Sequence, residues 1–181
     1  MKELSLYILD LVQNSLRAQA KCICIWVKDS ASEDRLEIAI EDDGHGMDSA
    51  LLARVTEPFI TTRTTREMGM GIPLFQMAAQ LTGGGFDIDS TLGRGTTLKG
   101  VFVRSHIDTP PLGDMAETLV TLVHGAPDVD FSYRYQTDAQ TLTFDTKEIR
   151  EILEDLPLNM PDVLSWIREH LKELELSIEN K

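Results

Sequence analysis

The residues best suited to chemistry are Asp42-Asp43-Gly44-His45-Gly46, which follow directly on the apolar alternation of Leu36, Ile38 and Ile40. An Asp at the end of a strand can accept a hydrogen bond from an exocyclic amine. Glycines beside it leave room for a flat ring and a close backbone approach. An acidic glycine turn also suits a hairpin or a calcium loop, so the rest of the chain must decide. Asp10, Asn14 and Arg17 recur at i, i+4 and i+7 and line one edge of a helix. An Asn oxygen there can complete the shell of a magnesium ion, and Asp10, one turn earlier, can serve as a general base that polarises water. The alternative is a solvated polar face. Gly69-Met70-Gly71 opens a third helical pattern, with Pro73 in its first turn. Free N–H groups and the helix dipole suit phosphate oxygens at such a place, although a flexible loop end would read the same.

These groups must be positioned by the elements around them. Leu4, Tyr7, Ile8, Leu11, Val12 and Leu16 give residues 3–20 one apolar helical face. Residues 22–28 and 35–41 read as strands, joined by the polar turn 29–34. Residues 48–55 read as a short helix with Asp48 as N-cap. Residues 57–66 are basic and threonine-rich without clear periodicity, which suits a mobile loop; 72–81 is helical again. Gly83-Gly84-Gly85 ends that helix, residues 86–90 and 96–103 are strands, and Thr91-Leu92-Gly93-Arg94-Gly95 is the tight turn between them. The expectation is an α+β fold: a two-layer α/β sandwich whose mostly antiparallel mixed sheet is covered by helices on one face, with an open site beneath a lid.

At 181 residues, with 42% hydrophobic and 26% charged side chains, the chain can bury one good core and a small appendage. No apolar run approaches the roughly 20 residues of a membrane helix, and no signal-peptide pattern precedes the first helix, so a cytoplasmic protein is expected. The net charge of −13 argues against nucleic acid and anionic membranes as partners. Residues 1–103 carry 10 basic against 14 acidic side chains, and residues 104–181 carry 7 against 16. An anionic ligand therefore belongs to the first part. Cys22 and Cys24 share one face of a strand, poorly placed for an easy mutual disulfide, and read as buried structural thiols, since Cys-x-Cys alone is also a poor zinc signal.

Taken together, the clusters resemble the nucleotide-binding domain of sensor histidine kinases, DNA gyrase, the Hsp-ninety chaperones and mismatch-repair ATPases. Asp10-Leu11-Val12-Gln13-Asn14-Ser15-Leu16-Arg17-Ala18 resembles the N box, Asp42–Gly46 the G1 box, and Glu57-Pro58-Phe59 the F box. Gly69-Met70-Gly71-Ile72 resembles the later part of the G2 box, and Gly93-Arg94-Gly95-Thr96-Thr97 the last glycine–threonine motif. The lid and the final motif are most like histidine kinases. The resemblance covers a domain at 1–104. It implies ATP and Mg2+ as ligands: Asp42 on the adenine amino group with Thr96 assisting through water, Gly44 and Gly46 bordering the base, and Asn14 on magnesium. Gly69 and Gly71 would line the phosphates, with Arg63 of the lid as a phosphate partner. Asp10 stands where ATP-hydrolysing members carry Glu, and a shorter carboxylate reaches less far toward water.

His45, His106, His124 and His170 lack an acceptor context, so a histidine-kinase-like protein without a phosphoacceptor His domain is expected. The expected function is a stand-alone protein kinase or kinase-like regulator acting on a separate partner. The alternatives are an ATP-hydrolysing conformational switch and a non-catalytic ATP sensor or scaffold. Residues 105–181 read as a small α+β module of unknown role: a helix at 112–124, a hairpin 131–136/141–144, a helix at 146–156 with Thr146 as cap, and a longer helix from Pro161 to about Ser177. A protein partner would meet the lid or this module, and a homodimer is one arrangement it allows.

Overall fold

The computed structural model describes residues 3–55, 70–154 and 156–179. In chain order they form α1 (Leu4–Arg17), β1 (Cys22–Ser30), β2 (Arg35–Asp42), α2 (Ser49–Val55), α3 (Gly71–Leu81), β3 (Gly85–Thr91) and β4 (Gly95–Val103). There follow α4 (Met115–Gly125), β5 (Asp130–Thr137), β6 (Thr141–Asp145), α5 (Thr146–Leu153) and α6 (Pro161–Glu179). The strands form one sheet in the order β3-β4-β2-β1-β5-β6. Every neighbouring pair is antiparallel except β1 with β5. The expected α+β sandwich is the observed one. The strands after residue 104 extend the same sheet, because β5 docks in parallel on β1 over Cys22–Asp29.

Strand alternation decides which face is covered. Ile23, Ile25 and Val27 of β1, Leu36, Ile38 and Ile40 of β2, and Phe131 and Tyr133 of β5 all point to one side and are buried. On that side α3 meets β3, β4 and α1, α1 meets α4, and α4 meets α6, which reaches β6. The helical stripe of α1 places Leu4, Ile8, Leu11 and Ser15 toward the core. Phe75 of α3, fully buried, sits among the rings of Tyr7, Phe86 and Phe102 with centroid separations of 5.9, 6.2 and 5.5 Å. Gly100 of β4 lies beneath it, where a Cβ would come within 2.4 Å of the Phe75 ring. This cluster fixes the separation of α1, α3 and the sheet, and hence the geometry of the site between them.

The other face of the sheet has the opposite character. Cys22 and Cys24 lie there, half-buried and free, beside the exposed Trp26. This corrects the expectation that both thiols are buried: in β1 it is the odd-numbered residues, Ile23, Ile25 and Val27, that face the helices. A second correction concerns α5. Its N-cap is Asp145, whose side chain accepts from Lys147 N at 2.8 Å. Thr146 is instead buried and its Oγ1 accepts from Phe131 N at 2.8 Å, tying the helix to β5. Asp48 does cap α2, accepting from Leu51 N at 2.8 Å. The N-terminus of α1 has no side-chain cap; the connection between β4 and α4 serves it, since Pro111 O and Leu112 O accept from Leu4 N and Ser5 N at 2.9 and 2.7 Å.

Candidate functional site

Strand β2 ends at Asp42, which is 9% exposed. A carboxylate this deep is tolerable only when hydrogen-bonded. Its Oδ2 accepts from Ser15 Oγ at 2.6 Å and its Oδ1 from Gly44 N at 2.9 Å. Each oxygen retains a second lone pair, so the group can still accept from a ligand amine. Asp43 has a different task. Its Oδ1 takes both Lys21 N and Cys22 N, at 2.7 and 2.8 Å, and so clamps the start of β1 to the turn.

The glycines are required by this turn's own backbone. Gly46 has φ +63°, and a Cβ there would lie 2.1 Å from Thr91 O. Gly95 has φ +103°, and a Cβ there would lie 1.9 Å from Asp42 O. Gly44 is similarly pressed on Ala18, at 2.8 Å. The three contacts bring the end of α1, the G1-like turn and the β3–β4 turn into one place. Thr96 pairs with Asp42 across β2 and β4. Its Oγ1 is 2.9 Å from Ser90 Oγ, which also accepts from Met47 N at 2.9 Å and donates to Gly95 O at 2.9 Å.

The second half of the site is the seam between α1 and the start of α3. Asp10 and Asn14 lie one turn apart on α1, both half-buried. Asn14 Oδ1 accepts from Arg17 Nη1 at 3.1 Å and keeps a further lone pair. The Asp10 carboxylate lies against Gly71, where a Cβ would come within 2.3 Å of Oδ2. Helix α3 therefore begins beside the polar edge of α1, and Met70 offers no side-chain cap to its first N–H groups. Arg63, Gly69 and Glu57-Pro58-Phe59 lie outside the described residues.

Two participants escaped the reading of the sequence. Ser15 interrupts the apolar stripe of α1 at a core position, and that interruption is the signal that it has a buried acceptor to satisfy. Ser90 sits on the covered side of β3 after Phe86 and Ile88, and the same argument could have found it. Among the described residues no group of three or more His, Cys, Asp and Glu side chains could hold a metal by itself. No helix among them is long and apolar enough to cross a membrane.

A family model described as histidine kinase-, DNA gyrase B- and HSP90-like ATPase matches residues 2–107. A putative sensor protein of Shewanella frigidimarina is 35% identical over 109 residues, 59% of this chain and 17% of that protein. The sensor protein kinase FleS of Pseudomonas aeruginosa is 43% identical over 58 residues, 32% of this chain and 14% of that protein. The chain thus corresponds to a small part of either relative. Among solved structures, the N-terminal domain of a DNA repair protein superposes with a TM-score of 0.56 at 16% identity, over 79% of this chain and 52% of that one. That likeness is one of fold, and it extends past the residues matched by the family model.

Proposed function

This chain belongs to the histidine kinase-, DNA gyrase B- and HSP90-like ATPases, and on that premise we propose that it binds ATP with Mg2+ and acts as a kinase-type regulator of a protein partner. The observation that carries the reading is the buried Asp42 carboxylate, held by Ser15 and Gly44 yet still able to accept, at the end of a seam that leads to Asp10, Asn14 and the start of α3. Asp42 would accept from adenine N6, with Thr96 beside it assisting through water and Gly44 and Gly46 bordering the base. Guanine presents a carbonyl at that position, and a carboxylate facing it unpaired costs on the order of 1–3 kcal/mol. ATP is therefore preferred to GTP.

The residues fit a hard cation carried in on phosphates. Asn14 supplies one neutral oxygen, and the described residues offer no cage of their own. Mg2+ held there would neutralise phosphate charge. Asn14 orients the phosphates and Gly71 lets them approach the N-terminus of α3, with Gly69 and Arg63 as further partners. Asp10, which lies against Gly71, would polarise a water or an acceptor hydroxyl.

The kinase reading rests on the sensor proteins among the relatives. Residues 105–181 are assigned as a module for a protein partner or a second copy, and their acidic excess speaks against nucleic acid as its ligand. Incubation with ATP labelled in the γ-phosphate separates the possibilities: label on a partner supports the kinase, free phosphate points to an ATP-driven switch, and neither points to a sensor. If Asp10 is the base, Asp10→Asn abolishes turnover while nucleotide affinity is retained. Persistent turnover in that variant refutes the role.

A further inference from the structure

On the open face of the sheet, opposite the helices, two sulfur nucleophiles stand side by side. Cys22 and Cys24 are half-buried and free on the same face of β1. Lys147, the second residue of α5, brings its Nζ to 3.9 Å from Cys22 Sγ and to 4.0 Å from Asp130. Its side chain is 57% exposed, so small solutes reach this corner. The two thiols differ. Burial, then the neighbouring Cys22, Glu41 and Asp145, push the Cys24 thiol up to about 11. Cys24 therefore keeps its proton at neutral pH. Cys22, for its part, has the Lys147 ammonium as a neighbour of its sulfur.

We propose that Cys22 and Cys24 form an oxidisable dithiol site whose substrate is a hydroperoxide, with Cys22 as the attacking sulfur, Cys24 as the resolving one and Lys147 as the residue that supports charge on Cys22. The Cys22 sulfur attacks one peroxide oxygen and the O–O bond breaks; the leaving oxygen takes the Cys22 proton and departs as water or alcohol. This leaves Cys22 as a sulfenic acid. The Cys24 sulfur then attacks Cys22 Sγ, the S–O bond breaks, and the departing hydroxide leaves as water with the Cys24 proton. Each sulfur gives up one electron and the peroxide gains two.

Backbone geometry makes the bond reversible. Residues i and i+2 of a strand have Cα atoms about 6.6–6.8 Å apart, the upper limit for a disulfide. Closure must draw the end of β1 inward, where Asp43 holds the N–H groups of Lys21 and Cys22. A bridge formed against that clamp is readily opened by a thiol.

The test uses the whole protein, hydrogen peroxide and peptide mapping by mass spectrometry. Wild type is expected to lose both thiols together to a Cys22–Cys24 bond that dithiothreitol reverses. Cys24→Ser is expected to stop at a sulfenic acid on Cys22, captured by dimedone. In Cys22→Ser, Cys24 reacts at least about tenfold more slowly, because it is held as the thiol. Lys147→Gln slows the loss of Cys22 by about threefold or more. The proposal is overturned by equal reactivity of the two single-Cys variants, by bonds only between molecules, by an unchanged rate in Lys147→Gln, or by thiols that survive a dose consuming free glutathione. None of these readouts depends on nucleotide binding.

Discussion

Replacing Asp42 by Asn separates the two roles of this side chain, in the fold and toward a ligand. In the fold it accepts from Ser15 Oγ and from Gly44 N. An Asn can keep its oxygen on Gly44 N and turn its NH2 toward Ser15 Oγ, which rotates to accept. Both partners stay satisfied, so the expected loss of stability is about 1 kcal/mol or less. The ligand side is different. On the oxygen that faced Ser15, a charged acceptor becomes a neutral donor, and the ligand amine meets a donor in place of a carboxylate. Loss of a hydrogen bond to a charged group costs about 1.5–3 kcal/mol, which is roughly 10- to 150-fold in Kd. Titration calorimetry with a non-hydrolysable ATP analogue and Mg2+ measures the affinity, and thermal unfolding checks the fold. Ser15→Ala is the companion variant: it leaves Asp42 Oδ2 without its donor and lowers stability by about 1–3 kcal/mol. Unchanged affinity in a folded Asp42→Asn protein would refute the assignment.

Other outcomes follow from the packing and the ion pairs. Phe75→Ala removes a fully buried ring from between α3 and the sheet and is expected to cost about 3–5 kcal/mol in chemical denaturation; a loss under 1 kcal/mol would show that the cluster is not the keystone described. Glu117 of α4 pairs with Arg168 of α6 at 2.5 Å and with Lys172 at 3.4 Å, and the Arg168 guanidinium foremost holds its carboxyl below the usual carboxylate range. A depressed carboxyl contributes stability above the unfolded pKa of about 4.3 and loses it as pH falls through the folded value. Glu117→Gln should therefore be slightly less stable than wild type at neutral pH, and the gap should close in acid. A gap that widens below pH 4 would contradict the sign. The pair is partly exposed, so added salt should shrink the gap as well.

Periodicity carried most of the fold. The sheet-facing stripe of α1, the alternation of β1 and β2 and the glycine-rich end of α3 each report a local preference that the tertiary structure keeps. The order of the sheet was not readable in this way. The parallel contact of β5 with β1 depends on Ile23 and Phe131 meeting over a long sequence separation, which no local pattern records. The face on which Cys22 and Cys24 lie was misjudged for a related reason. Cysteine is apolar enough to suit either side, and only the run of Ile23, Ile25 and Val27 shows which side is packed. At α5 two adjacent residues, Asp145 and Thr146, were both fit to cap; Phe131 N, distant in sequence, claims the threonine. In the site, Asp42, Asn14 and Gly71 could be named from motif resemblance. Ser15, which holds Asp42, and Ser90, which holds the neighbouring turn, are marked only by their place on apolar faces, a signal weaker than any motif.

Adenine nucleotide is expected to bind between the G1-like turn and the start of α3. The most direct measurement is an isotope-edited amide spectrum of the whole chain, titrated with Mg2+ and ATP and separately with GTP. Saturable ATP shifts centred on Gly44, Gly46, Gly71 and Thr96 are expected, weaker with GTP. Shifts of equal size with GTP, or shifts confined to the open face around Trp26, would contradict this expectation.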